Sequence, residues 1–417
     1  MRAVIVIWMF LVAVLFSRCQ FSKNRTSDKK SKESILPYKI GEYGYDLAFL
    51  KKELKLVELV NGETRLVVVP KYQGRVMTSS SKGLKGHSYG WINYDLIASA
   101  KIDEHANPYG GEERIWLGPE GGQFSVFYKK GSPVGHEQWT IPAALDHEPF
   151  TVIGINPESV TLEKKVELEN YSGTKFKAKI TRTLSLLGNS EIMANLRMEF
   201  GKSVSVVGYQ SVNCLKNTGD NCWNKSSGAL SIWILSMLKA SPYVTVVIPY
   251  KKEGKKMIVN DYFHNIPENR LKVAEKAVYF RVDGKFRSKI GISPLHSFPC
   301  LGSYDANNKV LSILSFSLAE NSKDYVNSSL VKYQEDPFSG DVINSYNDGP
   351  LSNGSQIGEL YELETSSPAA FLKPGDEITY INRMYHFEGN EADLNTLAKS
   401  ILNVPLSEII NAYNIRN

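Results

Sequence analysis

Residues 158–187 read ESVTLEKKVELENYSGTKFKAKITRTLSLL, and this stretch decides the fold class. Val160, Leu162, Val166 and Leu168 fall on even positions, with Thr161, Glu163, Lys165 and Glu167 between them. After the turn signal Asn170-Tyr171-Ser172-Gly173 the alternation resumes. Phe176, Ala178, Ile180, Leu184 and Leu186 are apolar, and Lys175, Lys177, Lys179, Thr181 and Thr183 are polar. Successive side chains of a strand point to opposite faces, so a period of two describes a half-buried strand. Gly188-Asn189 is a second turn. Ile192, Ala194, Leu196, Met198 and Phe200 continue the alternation, which predicts a third strand. Three long alternating strands joined by short turns make an antiparallel meander.

Working outward, strand patterns recur at 53–60, 64–70, 74–79, 122–128, 150–155, 203–213, 229–238, 243–250, 277–283, 309–318, 358–365 and 376–387. So many strands with so few helices predict an all-β protein, a large antiparallel sandwich. A helical period is clear only near the C-terminus. There Asn390 is placed to cap, Asp393 lies in the first turn, and Leu394, Leu397, Ala398 and Ile401 follow. Pro405 ends that helix, and Ser407 is placed to cap a last short turn from Glu408. Residues 37–417 contain no internal repeat and no Pro/Gly-rich linker, which predicts one domain.

The 417 residues are 42% hydrophobic and 22% charged, ordinary values for a globular chain with a substantial core. The formal charge of +5 is local. Residues 1–36 hold Arg2, Arg18, Lys23, Arg25, Lys29, Lys30 and Lys32 against Asp28 and Glu33, and the remainder balances. A nucleic-acid footprint belongs on the folded body, so no nucleic-acid partner is expected.

The first residues read as an address. Ala3 to Phe16 run without a charge, too short a stretch for a spanning helix of about twenty residues. The run ends Leu15-Phe16-Ser17-Arg18-Cys19-Gln20. This layout resembles a bacterial lipoprotein leader, which implies that Cys19 carries lipid and anchors the protein to a membrane of the cell envelope. Arg18 departs from that pattern, where a small residue is usual. A plain secretory signal is the other reading. Residues 1–19 are thus a leader, 20–36 a solvated tether, and 37–417 the folded domain. Of the remaining cysteines, Cys214 and Cys222 could close a short loop or stay as buried free thiols. No Cys-x-x-Cys or His-x-x-x-His spacing exists, so neither a metal nor another cofactor is expected.

Two segments carry a family resemblance. Residues 64–79, TRLVVVPKYQGRVMTS, resemble the opening of the aldose 1-epimerases, the galactose mutarotase family. Residues 358–388, GELYELETSSPAAFLKPGDEITYINRMYHFE, resemble the closing hairpin of that family. The resemblance implies a β-supersandwich. The block Gly110 to Gln123 is not a mutarotase signature; it resembles that of a bacterial envelope family sharing the fold. Fold alone fixes no activity.

In mutarotases a base takes the anomeric hydroxyl proton and an acid protonates the ring oxygen. The resemblance puts the base at Glu364, with Glu362 on the same strand face. It puts the acid, a His, on the strand ending Gln210-Ser211-Val212-Asn213. Asn213 stands there instead, able to hydrogen-bond a ring oxygen but not to protonate it. His136, beside Glu137-Gln138-Trp139, lies in a polar and aromatic setting suited to a sugar. The Gly-rich block adds Glu112, Arg114, Trp116 and Glu120, planar hydrogen-bonders and a ring of the kind that hold a sugar. Its other reading is a buried structural loop with an internal Arg–Glu pair. Trp223 and the run Tyr346-Asn347-Asp348-Gly349 are weaker candidates of the same type. The expected function is therefore a carbohydrate-binding envelope lipoprotein, with an aldose 1-epimerase acting on a sugar or uronate as the alternative. A His or Lys sharing the sugar-sized space with Glu364 favours the enzyme.

Overall fold

The computed structural model describes residues 37–135, 137–252, 258–319 and 322–414. The leader, the tether and Cys19 lie outside the described residues, as does His136.

Among the described residues, three antiparallel sheets make the fold. The first hairpin sheet joins β1 (Val57–Asn61), β2 (Thr64–Val69) and β3 (Arg75–Ser80). A six-stranded sheet contains β4 (Arg114–Gly118), β9 (Ser231–Lys239), β11 (Ile258–Val259), β14 (Ser288–Ile292), β17 (Ile343–Asn347) and β18 (Leu360–Ser366). Its spatial order is β11-β14-β17-β18-β9-β4. A ten-stranded sheet carries the meander. Its strands are β5 (Thr151–Asn156), β6 (Ser159–Glu169), β7 (Lys175–Leu187), β8 (Ser205–Asn217), β10 (Val244–Pro249), β12 (Leu271–Val273), β13 (Ala277–Arg281), β15 (Cys300–Asp305), β16 (Val310–Phe316) and β19 (Glu377–Glu388). Their order is β12-β13-β10-β15-β16-β19-β8-β7-β6-β5.

The alternation that predicted β6 and β7 appears as burial. Val160, Leu162, Leu184 and Phe176 are buried, while the lysines between them are exposed or half-buried. The two large sheets pack face to face around one apolar core. The odd positions of β18 look into that core. The Tyr361 hydroxyl meets Ser303 of β15 at 2.7 Å, and Thr365 Oγ1 donates to Asn382 of β19 at 3.1 Å. The even positions, Glu362 and Glu364, therefore face away from the ten-stranded sheet.

The other face of the ten-stranded sheet is covered by helices. Helix α5 (Glu391–Leu402) begins as expected, with the Asn390 side chain accepting from the Asp393 amide at 3.0 Å. Leu394, Leu397 and Leu402 of α5, with Ile409 and Ile410 of α6 (Leu406–Tyr413), pack on Val247, Leu311, Ile313 and Phe387. Each such side chain contributes roughly 1.5–3 kcal/mol on burial. Pro405, not Ser407, precedes α6.

Three expectations are corrected. Residues 189–196 form a helix, α4 (Asn189–Leu196), not a third meander strand. A spacing of four, Ile192 to Leu196, satisfies both a strand and a helix. Glu191 decides it by accepting the Gly188 amide at 2.8 Å, and Arg197 ends the helix in a left-handed conformation. Residues 122–128 are buried but irregular. Residues 53–60 hold the end of a helix, α1 (Tyr43–Glu53), before β1. Its Tyr43, Asp46, Leu47 and Leu50 are buried at helical spacing, a signal present in the sequence. The strands β4, β11, β12, β14, β15 and β17 went unread there as well. Two short helices, α2 (Tyr94–Ser99) and α3 (Ala143–Asp146), complete the α-helices of the described residues. Cys214, Cys222 and Cys300 are free thiols, and Cys222 is exposed rather than buried.

Candidate functional site

The outward face of the six-stranded sheet floors a cavity of about 510 Å³. Ladder register sets its floor. Trp116 of β4 pairs with Trp233 of β9, and Arg114 with Leu235. Glu362 of β18 pairs with Met237 on one side and with Tyr346 of β17 on the other. Tyr346 in turn pairs with Lys289 of β14. Residues directly opposite share a face, so these side chains converge from five strands. Loops complete the walls, contributing His105, Trp139, Phe263 and Leu330 among others.

Two buried ion pairs organise the charge. Arg114 Nη2 donates to Glu362 Oε1 at 2.8 Å, and its guanidinium lies 4.1 Å from the Trp116 ring. Lys289 Nζ donates to Glu364 Oε2 at 2.9 Å, between the rings of Trp233 at 4.8 Å and Tyr262 at 5.6 Å. Trp233 Nε1 donates to the same oxygen at 3.0 Å, and Glu364 Oε1 has no partner. Burial raises the pKa of Glu362 to about 7, with Arg114 opposing and Glu364 adding to the rise. Burial raises that of Glu120 as well, against Lys289. For Lys289 burial acts downward, but the carboxylates of Glu364, Glu120 and Glu362 outweigh it and the pKa is raised. The lysine is thus held as a cation.

The structure distributes the sequence candidates among three places. Arg114, Trp116 and Glu120 line the cavity. Glu364 shares their sheet face but is fully buried, held under the wall by Lys289 and Trp233. Asn213 and Glu112 are corrected: neither reaches the cavity. Asn213 lies between the sheets and accepts from Arg182 Nη1 at 3.1 Å. Arg182 also meets Glu113 at 2.5 Å, and Asn382 closes that buried network on Glu113 at 3.0 Å. Glu112 accepts the Ser79 hydroxyl at 2.8 Å and meets His386 Nε2 at 3.1 Å. The alternation explains the split. Glu113 turns inward and Arg114 outward, so the Arg–Glu pair inside the Gly-rich block does not form. Trp223 is a core residue, edge-on to Phe176 at 5.3 Å. His136 lies outside the described residues.

The glycines of that block serve backbone approach. A Cβ on Gly110 would sit 2.1 Å from the Trp91 carbonyl oxygen, and one on Gly121 2.0 Å from that of Ser329. Sequence reasoning missed Lys289, Arg287 and Trp233, and reached Trp139 only as a neighbour of His136. A signal existed for Lys289: Ser288, Ile290 and Ile292 alternate with it, marking a charged residue in an apolar strand. Among the described residues no group of His, Cys, Asp and Glu is arranged to hold a metal.

Comparison with known proteins agrees with this fold. The structure of a "Putative aldose 1-epimerase" from Escherichia coli K12 is similar with a TM-score of 0.50 at 10% identity, covering 81% of this chain and 99% of that one. The Slr1438 protein of Synechocystis sp. PCC 6803 has a TM-score of 0.48 at 12% identity, covering 81% and 96%. The galactose mutarotase related enzyme of Lactobacillus acidophilus has a TM-score of 0.46 at 10% identity, covering 80% and 97%. The first of these, with the all-antiparallel sheets described above, shows the fold, a galactose mutarotase-like β-sandwich. No curated protein matches the sequence. Residues 41–413 match the family described as "Family of unknown function (DUF6786)", and the chain belongs to that family.

Proposed function

We propose that the cavity binds a carbohydrate, and that the protein is a sugar-binding lipoprotein of the cell envelope. One observation carries the sugar reading. Three indole rings, Trp116, Trp139 and Trp233, share a single cavity with the Arg114–Glu362 pair and with Lys289, which Glu364 holds from beneath the wall. Indole faces suit the C–H face of a sugar ring, and fixed charged groups suit its hydroxyls. The volume falls within the roughly 300–1,000 Å³ of small-ligand sites. Tryptophan fluorescence titration with a panel of mono- and oligosaccharides tests it. A bound sugar should perturb the emission, and Trp116→Ala should weaken that sugar by about tenfold. A panel with no response would remove the proposal.

Turnover of an aldose is the second reading. Glu362 reaches the cavity with a pKa of about 7, so it can give or take a proton near neutrality. Lys289 also lines the space, in reach of Glu364. Binding is favoured because Glu364, the position implied for the base, is buried and already engaged. Polarimetry of freshly dissolved α-aldoses separates the two readings. Anchoring rests on the leader ending at Cys19. Cys19→Ala should move the protein from the membrane fraction to the soluble one; an unlipidated, soluble wild type would refute it.

A further inference from the structure

The ion pairs leave one wall cation without a carboxylate at salt-bridge distance among the described residues. Arg114 is matched by Glu362, and Lys289 by Glu364. Arg287 also lines the cavity, its guanidinium 3.7 Å from the Phe263 ring and in contact with the Tyr346 hydroxyl, and it forms no ion pair among the described residues. Glu120, the remaining cavity carboxylate, forms no ion pair with Arg287 among the described residues; burial raises its pKa, opposed by Lys289, Arg287 and Arg114.

The unpartnered hydrogen-bonding atoms of the wall point the same way. Arg114 Nε, Trp116 Nε1 and Trp139 Nε1 are buried without a partner, and all three are donors. A sugar hydroxyl brings a donor of its own as well as lone pairs, whereas an acid group brings only acceptors. A wall with a guanidinium outside any ion pair and three unpartnered N–H groups is complementary to the second. We propose that the ligand of this cavity is an acidic sugar, whose carboxylate, sulfate or phosphate group pairs with Arg287. This rests on the carbohydrate reading above and adds the chemical class of the ligand. The aromatic rings hold the sugar ring, and Arg287 supplies a planar, two-pronged donor to the anionic group.

The test is calorimetric titration of the full chain in detergent with matched pairs of sugars. Glucuronate against glucose and galacturonate against galactose form the carboxylate arm. Glucose 6-phosphate and glucose 6-sulfate against glucose form the second arm. In at least one pair the acidic member should bind about tenfold or more tightly, the scale of a charge-assisted hydrogen bond. The arm in which this occurs identifies the acid group. Arg287→Gln should bring the acidic-to-neutral affinity ratio close to one, and Arg287→Lys should retain part of it. Lys225→Gln, an exposed cation paired with Asp324 away from the cavity, should leave the ratio unchanged. Neutral sugars binding as well as acidic ones in every pair overturns the inference and leaves the carbohydrate reading standing. A preference that survives Arg287→Gln, or that Lys225→Gln abolishes equally, overturns the assignment to Arg287. If no sugar binds in either arm, both readings fall.

Discussion

A Lys289→Met exchange removes one half of the ion pair beneath the cavity and leaves the other half buried. Glu364 is fully shielded from solvent and Lys289 nearly so. At 2.9 Å and an effective dielectric of about 20, the gross attraction is about 6 kcal/mol. Much of that offsets the desolvation of the two ions, so the pair is a weak net stabiliser compared with a packed apolar pair. Losing a single partner is different. Met fills nearly the same volume, so packing costs little. The carboxylate keeps only the Trp233 indole at 3.0 Å, and Glu364 Oε1 has no donor already. Breaking a buried pair in this way costs about 3–5 kcal/mol. Reversible urea unfolding at pH 7 measures it, read alongside Glu364→Gln and the double variant. The double variant removes both charges, so it should be more stable than the sum of the single losses predicts, by about 2 kcal/mol or more. A Lys289→Met loss below about 1 kcal/mol, or single effects that add within about 0.5 kcal/mol, would refute a buried coupled pair.

Three further outcomes follow from the same geometry. Burial raises the pKa of Glu362 from 4.5 to about 7, opposed by Arg114 and Lys289 and reinforced by Glu364 and Asp348. The folded state therefore holds a proton that the unfolded chain has released, and this stabilisation is full below pH 4.5 and lost as pH rises to about 7. Relative to Glu362→Gln, the wild type should lose up to about 3 kcal/mol across that window; parallel stability curves would sink the assignment. Arg182→Met strands the fully buried Glu113 carboxylate between the sheets and should cost about 3–5 kcal/mol in thermal or urea unfolding, whereas a change under 1 kcal/mol would show that the network is dispensable. Gly121→Ala drives a methyl to within 2.0 Å of the Ser329 carbonyl oxygen and should lower stability by about 1–3 kcal/mol; an unchanged melting temperature would mean that the loop moves freely.

Local chemistry was legible without a structure. The alternation of β6 and β7 is a property of neighbouring residues, and it survived into burial almost position by position. So did the Asn390 cap of α5 and the shared parity of Glu362 and Glu364. Where two periods coincide, as at Ile192 and Leu196, the sequence alone left the wrong element standing. There a capping carboxylate three residues along decided for helix.

What the tertiary structure decided was which face looks where and which distant groups meet. Sequence places Glu112, Glu113 and Arg114 side by side, but backbone alternation sends Glu113 to Arg182 and Arg114 to Glu362, 248 residues away. Lys289 meets Glu364 across 75 residues, and no pattern in either strand announces the other. Asn213 and Arg114 looked equivalent as polar candidates. They part because β8 turns that position into the core, where a buried arginine needs an acceptor, while β4 turns Arg114 outward. The period of a strand is written in its own residues. Its register, and therefore the identity of its neighbours, is fixed only when every strand of the sheet buries its apolar face at once.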